Sequence, residues 1–219
     1  MKGISTVISA ALIVAIALGL TSTAYIWGTP LIQKRQEASL TERVFNQFSQ
    51  TNQNSLPKII EDVANNRGVR SFTINTDGLW LLNENEDSIE FTFTSKTANI
   101  APNTQNPISL TAGVQCTSAS PSNSPSPPTG TLGQDSSSVI CVRAVTSGDF
   151  FTITYKIWFR ELSDNPFSPT QRFKIDLVKD TGLTSSASKI VKITFDDSTQ
   201  STPQSGQTLI TKKIKILLI

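Results

Sequence analysis

The amino-acid sequence predicts an α+β chain in which a long N-terminal hydrophobic α-helix leads into an antiparallel β-sandwich. Three observations predict it. Residues 4–33 carry no charged side chain, a run longer than the ~20 apolar residues that cross a bilayer as a helix. Residues 34–66 bring charges back at helical spacing around an apolar face. From Arg70 onward apolar residues recur at every second position, with turn residues between the runs.

The opening "MKGISTVISAALIVAIALGL" has one basic residue and then only small and apolar ones. A conventional secretory leader has an h-region of ~7–15 residues and a small-x-small cleavage site. The run here is too long for that, and past the best late site, Ser22-Thr23-Ala24, it continues uncharged as "YIWGTPLIQ". Ala11, Ala15, Gly19 and Thr23 recur at every fourth position, and Ser5 and Ser9 share that spacing. Small residues at this interval form a stripe that lets helix backbones approach closely. The stripe is read as a helix-packing face.

Gly28-Thr29-Pro30 reads as a bend, because proline removes a bond from the helical ladder. Beyond it, "LIQKRQEASLTERVFNQFSQ" places Leu40, Val44, Phe45 and Phe48 on one face, expected to lie against the following domain. "SLPKIIEDVANNRG" reads as a second short helix, capped by Ser55 and ended by Gly68.

The remaining ~150 residues are enough for one domain with its own core. Asp77-Gly78 signals a hairpin turn. Ile89, Phe91 and Phe93 alternate, as do Phe151, Ile153, Tyr155, Ile157 and Phe159. Phe173, Ile175 and Leu177 repeat the pattern; Ile190 follows, then Ile193 and Phe195 after a slip. In the last run, "TLITKKIKILLI", Ile214, Ile216 and Leu218 share a face. Whether that strand pairs inside its own domain or with a neighbour is left open by the pattern. Seven to nine short strands of this kind fit an immunoglobulin-like sandwich. Trp80 and Trp158 lie in strand-like runs and are read as packing residues.

Cys116 and Cys141 are the two cysteines of the chain, and in an exported protein they are expected to pair. They bracket "TSASPSNSPSPPTGTLGQDSSS", a Pro-, Ser- and Gly-rich stretch read as an exposed loop, adhesive or O-glycosylated. No Asn-x-Ser/Thr acceptor with a permitted middle residue occurs.

The charged fraction is 16% and the net charge +2, so no basic footprint for nucleic acid stands out. The absence of histidine removes the commonest general base and metal ligand. No nucleophile elbow, phosphate-binding glycine loop or Cys-x-x-Cys spacing occurs. The carboxylates Glu84, Glu86, Asp87 and Asp196-Asp197 read as solvated turns rather than calcium ligands. The chain is therefore read as no enzyme, with no catalytic residue, metal or cofactor assigned.

"MKG" followed by "ISTVISAALIVAIALGL" resembles the class III leader and retained helix of archaeal type IV pilins. The resemblance covers about the first 30 residues. It implies that residues 1–3 are a leader, that Lys2 and Gly3 precede a cut by a prepilin peptidase, and that Ile4 becomes the mature N-terminus. Bacterial type IV pilins carry Glu at the fifth mature position, where this chain has Ile8. Archaellins carry an early Glu-Ala pair, whereas this chain has no acidic residue before Glu37. An adhesion-type pilin fits better.

The implied organisation is a leader at 1–3, a helical region at 4–66 with its hydrophobic part at 4–33 and its amphipathic part at 34–66, and a β-sandwich at 67–219. The implied partners are further copies of the chain in a helical filament, the prepilin peptidase, an assembly ATPase and a membrane platform protein. The implied location is the membrane before assembly and an extracellular cell-surface filament after it. Two other expectations compete: a membrane-anchored surface-binding or stator-like β-sandwich protein that never polymerises, and a secreted enzyme starting near Tyr25.

Overall fold

Helix α1 (Lys2–Phe48) carries the apolar run and its amphipathic continuation as one unbroken element. The structure, a computed structural model, describes residues 2–117, 125–126, 128–203 and 206–219, and for 2–6 and 125–126 only the backbone. At ~1.5 Å per residue, α1 is about 70 Å long. The expected bend at Pro30 does not interrupt it. Proline deletes one ladder bond and leaves the turns on either side intact.

Helix α2 (Leu56–Asn66) starts after Ser55, whose backbone is extended but whose hydroxyl makes no capping bond. Pro57 sits in its first turn, where the missing N–H has no ladder partner to lose. Arg67, not the expected Gly68, takes the left-handed terminal conformation at φ 55°, and its N–H donates to the Val63 carbonyl. Gly68 keeps an ordinary backbone.

Fourteen strands follow among the described residues: β1 (Val69–Thr73), β2 (Leu79–Asn83), β3 (Ser88–Ser95), β4 (Ile108–Ser109), β5 (Gln115–Cys116), β6 (Pro125–Ser126), β7 (Thr129–Thr131), β8 (Ser138–Ser147), β9 (Phe150–Phe159), β10 (Glu161–Ser163), β11 (Gln171–Lys179), β12 (Ser185–Ser186), β13 (Ile190–Ser201) and β14 (Thr208–Leu218). One six-stranded sheet runs β1-β13-β14-β11-β10-β7, a second runs β12-β2-β3-β9-β8-β4, and β5 pairs with β6. The α+β class with two layered sheets matches the sequence expectation. Two pairings depart from a purely antiparallel one: β11 with β14, and β10 with β7, are parallel. Strand β14 lies inside its own domain, between β13 and β11, which answers the question the pattern left open.

Asp77-Gly78 does not close a hairpin, because β1 joins the first sheet and β2 the second. Gly78 serves a close approach instead: a Cβ there would overlap the Phe91 ring and the Thr92 carbonyl. On β13 the buried residues are Val191 and Ile193, in step, while Ile190 is exposed. The irregularity falls between Phe195 and Asp197 instead.

The inner faces of both sheets share one core with the helices. Ile89, Phe91, Ile153 and Tyr155 from the second sheet meet Leu177, Val191, Ile193, Ile214 and Ile216 from the first. Val44 and Phe48 of α1 and Leu56, Ile60 and Val63 of α2 complete it. A second, smaller cluster lies on the other face of β8 and β9, where Val139, Cys141 and Trp158 meet Val114 and Cys116. The expected Cys116–Cys141 disulfide is present, and it fastens this outer segment to β8.

The acidic turn before β3 lies along β11. Glu84 accepts from the Lys179 N–H and Asp87 from the Leu177 N–H. Glu86 pairs with Lys156, and Asp87 with Lys174. These carboxylates occupy backbone donors and lysines, which blunts a strand edge. Burial, reinforced by the hydrogen bond that protonated Asp87 donates to Asp176, raises Asp87 to about 6, against the opposing pull of Lys174. Asp196 pairs with Lys215, and Asp197 accepts from the Ser198 N–H.

Candidate functional site: the exposed helix and its mounting

The predicted packing residues Ala11, Ala15, Gly19 and Thr23 all lie on α1 and are all exposed. The stripe is open: apart from the backbone of its own helix and its chain neighbours, nothing lies within 4 Å of a Cβ placed on Gly19. Around the stripe the helix exposes Val7, Leu12, Ile16, Leu20 and Leu31, so apolar surface covers every side. Its mean hydropathy over the most apolar window is 2.2. By length and composition it is apolar enough to cross a membrane. Tyr25 and Trp27 are exposed at 74% and 78%, shortly before Lys34 and Arg35. Aromatic residues followed by basic ones suit a membrane–water boundary.

Four hydroxyl side chains in this stretch fold back on their own helix. Ser22 donates to the Leu18 carbonyl, Thr23 to Gly19 and Thr29 to Tyr25, each at 2.8 Å. Thr21 bonds the Ala17 carbonyl in the same way. A hydroxyl left unpaired in hydrocarbon is costly. Bonding four residues back removes that cost whatever surrounds the helix. The Thr23 bond also covers the carbonyl of Gly19, so these two members of the stripe present no unpaired side-chain donor.

The predicted processing residues Lys2, Gly3 and Ile4 fall in the first turn of α1. Their side chains lie outside the described residues.

The last turns of α1 are fixed to the β-domain. Thr41 is buried, with its hydroxyl 3.1 Å from that of Ser95. Ser95 donates to Glu37 at 3.0 Å, and Gln47 donates to the Thr73 carbonyl at 2.9 Å. Phe48 is fully buried, its ring centroid 4.7 Å from Tyr155, 6.0 Å from Phe91 and 6.1 Å from Trp80. These aromatic contacts add to the area it buries. The apolar rod is thus mounted on the domain through its final three turns. The periodicity of residues 40–48 identified the buried face; the hydrogen bonds from Glu37 and Gln47 left no mark in the sequence, because their partners lie on distant strands.

The serine-rich stretch at 117–138 divides. Residues 118–124 and 127, which carry much of its proline and serine, lie outside the described residues. The later part is fastened rather than free. Strand β7 pairs with β10, and Ser137 and Ser138 donate to Glu61 at 2.7 and 2.9 Å. Burial alone would raise the Glu61 pKa, but Lys58 and these hydroxyls outweigh it and hold the carboxyl below its ordinary value. Among the described residues no group of three or more potential metal-ligating side chains comes together.

Comparison with protein-family models, with curated proteins and with solved structures returned no match. The chemistry of the chain itself carries the functional reading.

Proposed function

We propose that this chain is a structural subunit of an archaeal type IV pilus, made as a prepilin and polymerised through α1 into an extracellular adhesive filament. The observation that carries the reading is the division of α1. Residues 7–33 expose apolar surface all round, with the Thr21, Ser22, Thr23 and Thr29 hydroxyls bonded internally and a small-residue stripe open. Such a surface is satisfied equally by lipid tails and by copies of itself, because neither demands a polar partner. Moving from bilayer to filament core therefore exchanges one dry environment for another. Van der Waals contact along the stripe favours the bundle.

The β-domain then coats the filament, held to the rod by Phe48 and the Thr41–Ser95 contact. Prepilin peptidase, an assembly ATPase and a membrane platform protein are the partners this reading requires. Tyr25 and Trp27 followed by Lys34 and Arg35 would set the depth at which the rod waits in the membrane.

Replacing Gly3 with leucine in the producing cell tests the reading. Mass spectrometry of the N-terminus should show an uncut chain retained in the membrane and no filaments by electron microscopy. Normal filaments from that variant would refute it. An unaltered chain that starts at Ile4 but stays as single molecules would point to the membrane-anchored alternative.

A further inference from the structure

A cleft of about 370 Å³ opens between α2, residues 132–137 and the first sheet, and filament assembly leaves it without a role. Its size falls among small-molecule sites. The alternation of β14 explains its floor. Ile214, Ile216 and Leu218 point into the core, and Ile210 and Lys212 continue the same face past the core's end. Strand register sets Phe173 between Leu162 and Ile210, and Ile175 beside Lys212. The result is an apolar floor with one ammonium at its side.

Four cations line the cleft, and three of them have a carboxylate. Lys58 pairs with Glu61 at 2.8 Å, Lys174 with Asp87, and Arg160 with Asp135 at 3.5 Å. Lys212 has no carboxylate within ion-pair distance among the described residues; its ammonium donates to the Asn65 side chain at 2.8 Å. Burial and the nearby Arg67 both lower its pKa, the mark of a cation whose neighbour has the same sign. Arg160 is 4% exposed, and its Nη2 makes no hydrogen bond. That nitrogen is the one facing Asp135, so Arg160 is already balanced within the wall and the surplus cation is Lys212. Asn65, Ser136 and Ser137 add neutral polar groups to the wall.

We propose that this cleft binds an acidic hexose with a single negative charge, a uronate or a sulfate ester of a surface polysaccharide. Its anion sits on Lys212 and its apolar C–H face lies over Phe173. Each part of the ligand answers a part of the site. The surplus cation calls for an anion, the Phe173–Ile210 floor for an apolar face, and the Asn65 and serine groups for hydroxyls. Glu61 and Asp135 in the wall disfavour a doubly charged phosphate. The inference deepens the adhesion reading by naming what the domain grips, and it needs no polymerisation.

The test uses the full chain, unassembled in detergent, so its failure is separable from failure to form filaments. Thermal unfolding is followed against glucuronate, glucose 6-sulfate, glucose and inorganic sulfate at matched ionic strength. A saturable rise in Tm is expected with either acidic sugar and not with glucose or sulfate. Lys212→Gln should weaken the apparent affinity about ten-fold, a loss of ~1.4 kcal/mol, while Lys213→Gln, on the opposite face of β14, leaves it unchanged. Equal saturation by inorganic sulfate, no saturable shift with either sugar, or full affinity in Lys212→Gln would each overturn the proposal.

Discussion

Residues 7–33 of α1 expose Leu, Ile, Val and Trp side chains on every side, whereas at residues 41–48 the same helix buries Thr41, Val44 and Phe48. Both parts are apolar and both are helical, yet they call for opposite surroundings. The lower part has found its partners within the chain, in the aromatic contacts of Phe48 with Trp80, Phe91 and Tyr155. The upper part has none, and its Ser22, Thr23 and Thr29 hydroxyls are bonded within the helix. The difference separates two free energies: the base of the rod contributes to the stability of the β-domain, and on the proposed reading the drive to associate resides along the rod's length. Substitutions in one part should leave the other part's property alone.

The largest test of that separation is Phe48→Ala. Truncating a fully buried phenylalanine costs about 3–5 kcal/mol. The domain should lose that much in chemical denaturation followed by far-UV circular dichroism, while membrane partitioning of the chain stays unchanged. Equal loss from Trp27→Ala would erase the distinction. Next in size is the Cys116–Cys141 bridge, which closes a sequence separation of 25. The chain-entropy estimate for such a loop is about 3.5 kcal/mol. Comparing oxidised protein with the double serine variant should show a lower unfolding midpoint and an unaltered rod.

A smaller effect is expected from pH. The folded state holds the Asp87 proton up to about pH 6, against an ordinary value of 3.8. Between those values the folded chain binds more protons than the unfolded one, so Asp87 makes stability fall as pH rises through this window. Asp87→Asn should flatten that part of the profile. An unchanged slope would remove Asp87 as its source. The smallest effect on stability belongs to Ala15→Leu and Gly19→Leu. Exposed substitutions of this kind stay within about 0.5 kcal/mol, so the domain should melt normally. If the rod bundles as proposed, these variants should still fail to form filaments in electron micrographs, because the stripe is filled.

Period and length made much of this fold legible. The apolar run, the face of Val44 and Phe48, the alternation of Ile214, Ile216 and Leu218, and the cysteine pair all follow from patterns that one stretch of chain displays by itself. What escaped depends on distant partners. Parallel pairing of β11 with β14 alternates just as antiparallel pairing does, so the pattern could not tell them apart. Asp77-Gly78 has a turn's composition, but glycine is needed there to clear Phe91. The acidic turn resembled a solvated or ion-binding run, whereas its carboxylates answer backbone donors on β11 more than eighty residues away. For the candidate site, the rod and the apolar face that mounts it were evident from sequence; the polar bonds of Glu37, Thr41 and Gln47 to distant strands were not. The cleft beneath α2 gave no signal, since Lys58, Arg160 and Lys212 meet only after both sheets have formed.

The placement of β14 has a bearing on biogenesis. The strand is central in the first sheet, between β13 and β11, yet it is drawn from the last stretch of the sequence. That sheet cannot close until residues 208–218 have been synthesised. Chains emerge N-terminus first, so on the proposed reading the greasy rod would enter the bilayer while the outer domain is still incomplete. Anchoring would then precede folding, and each nascent molecule would be tethered before its outer domain takes shape.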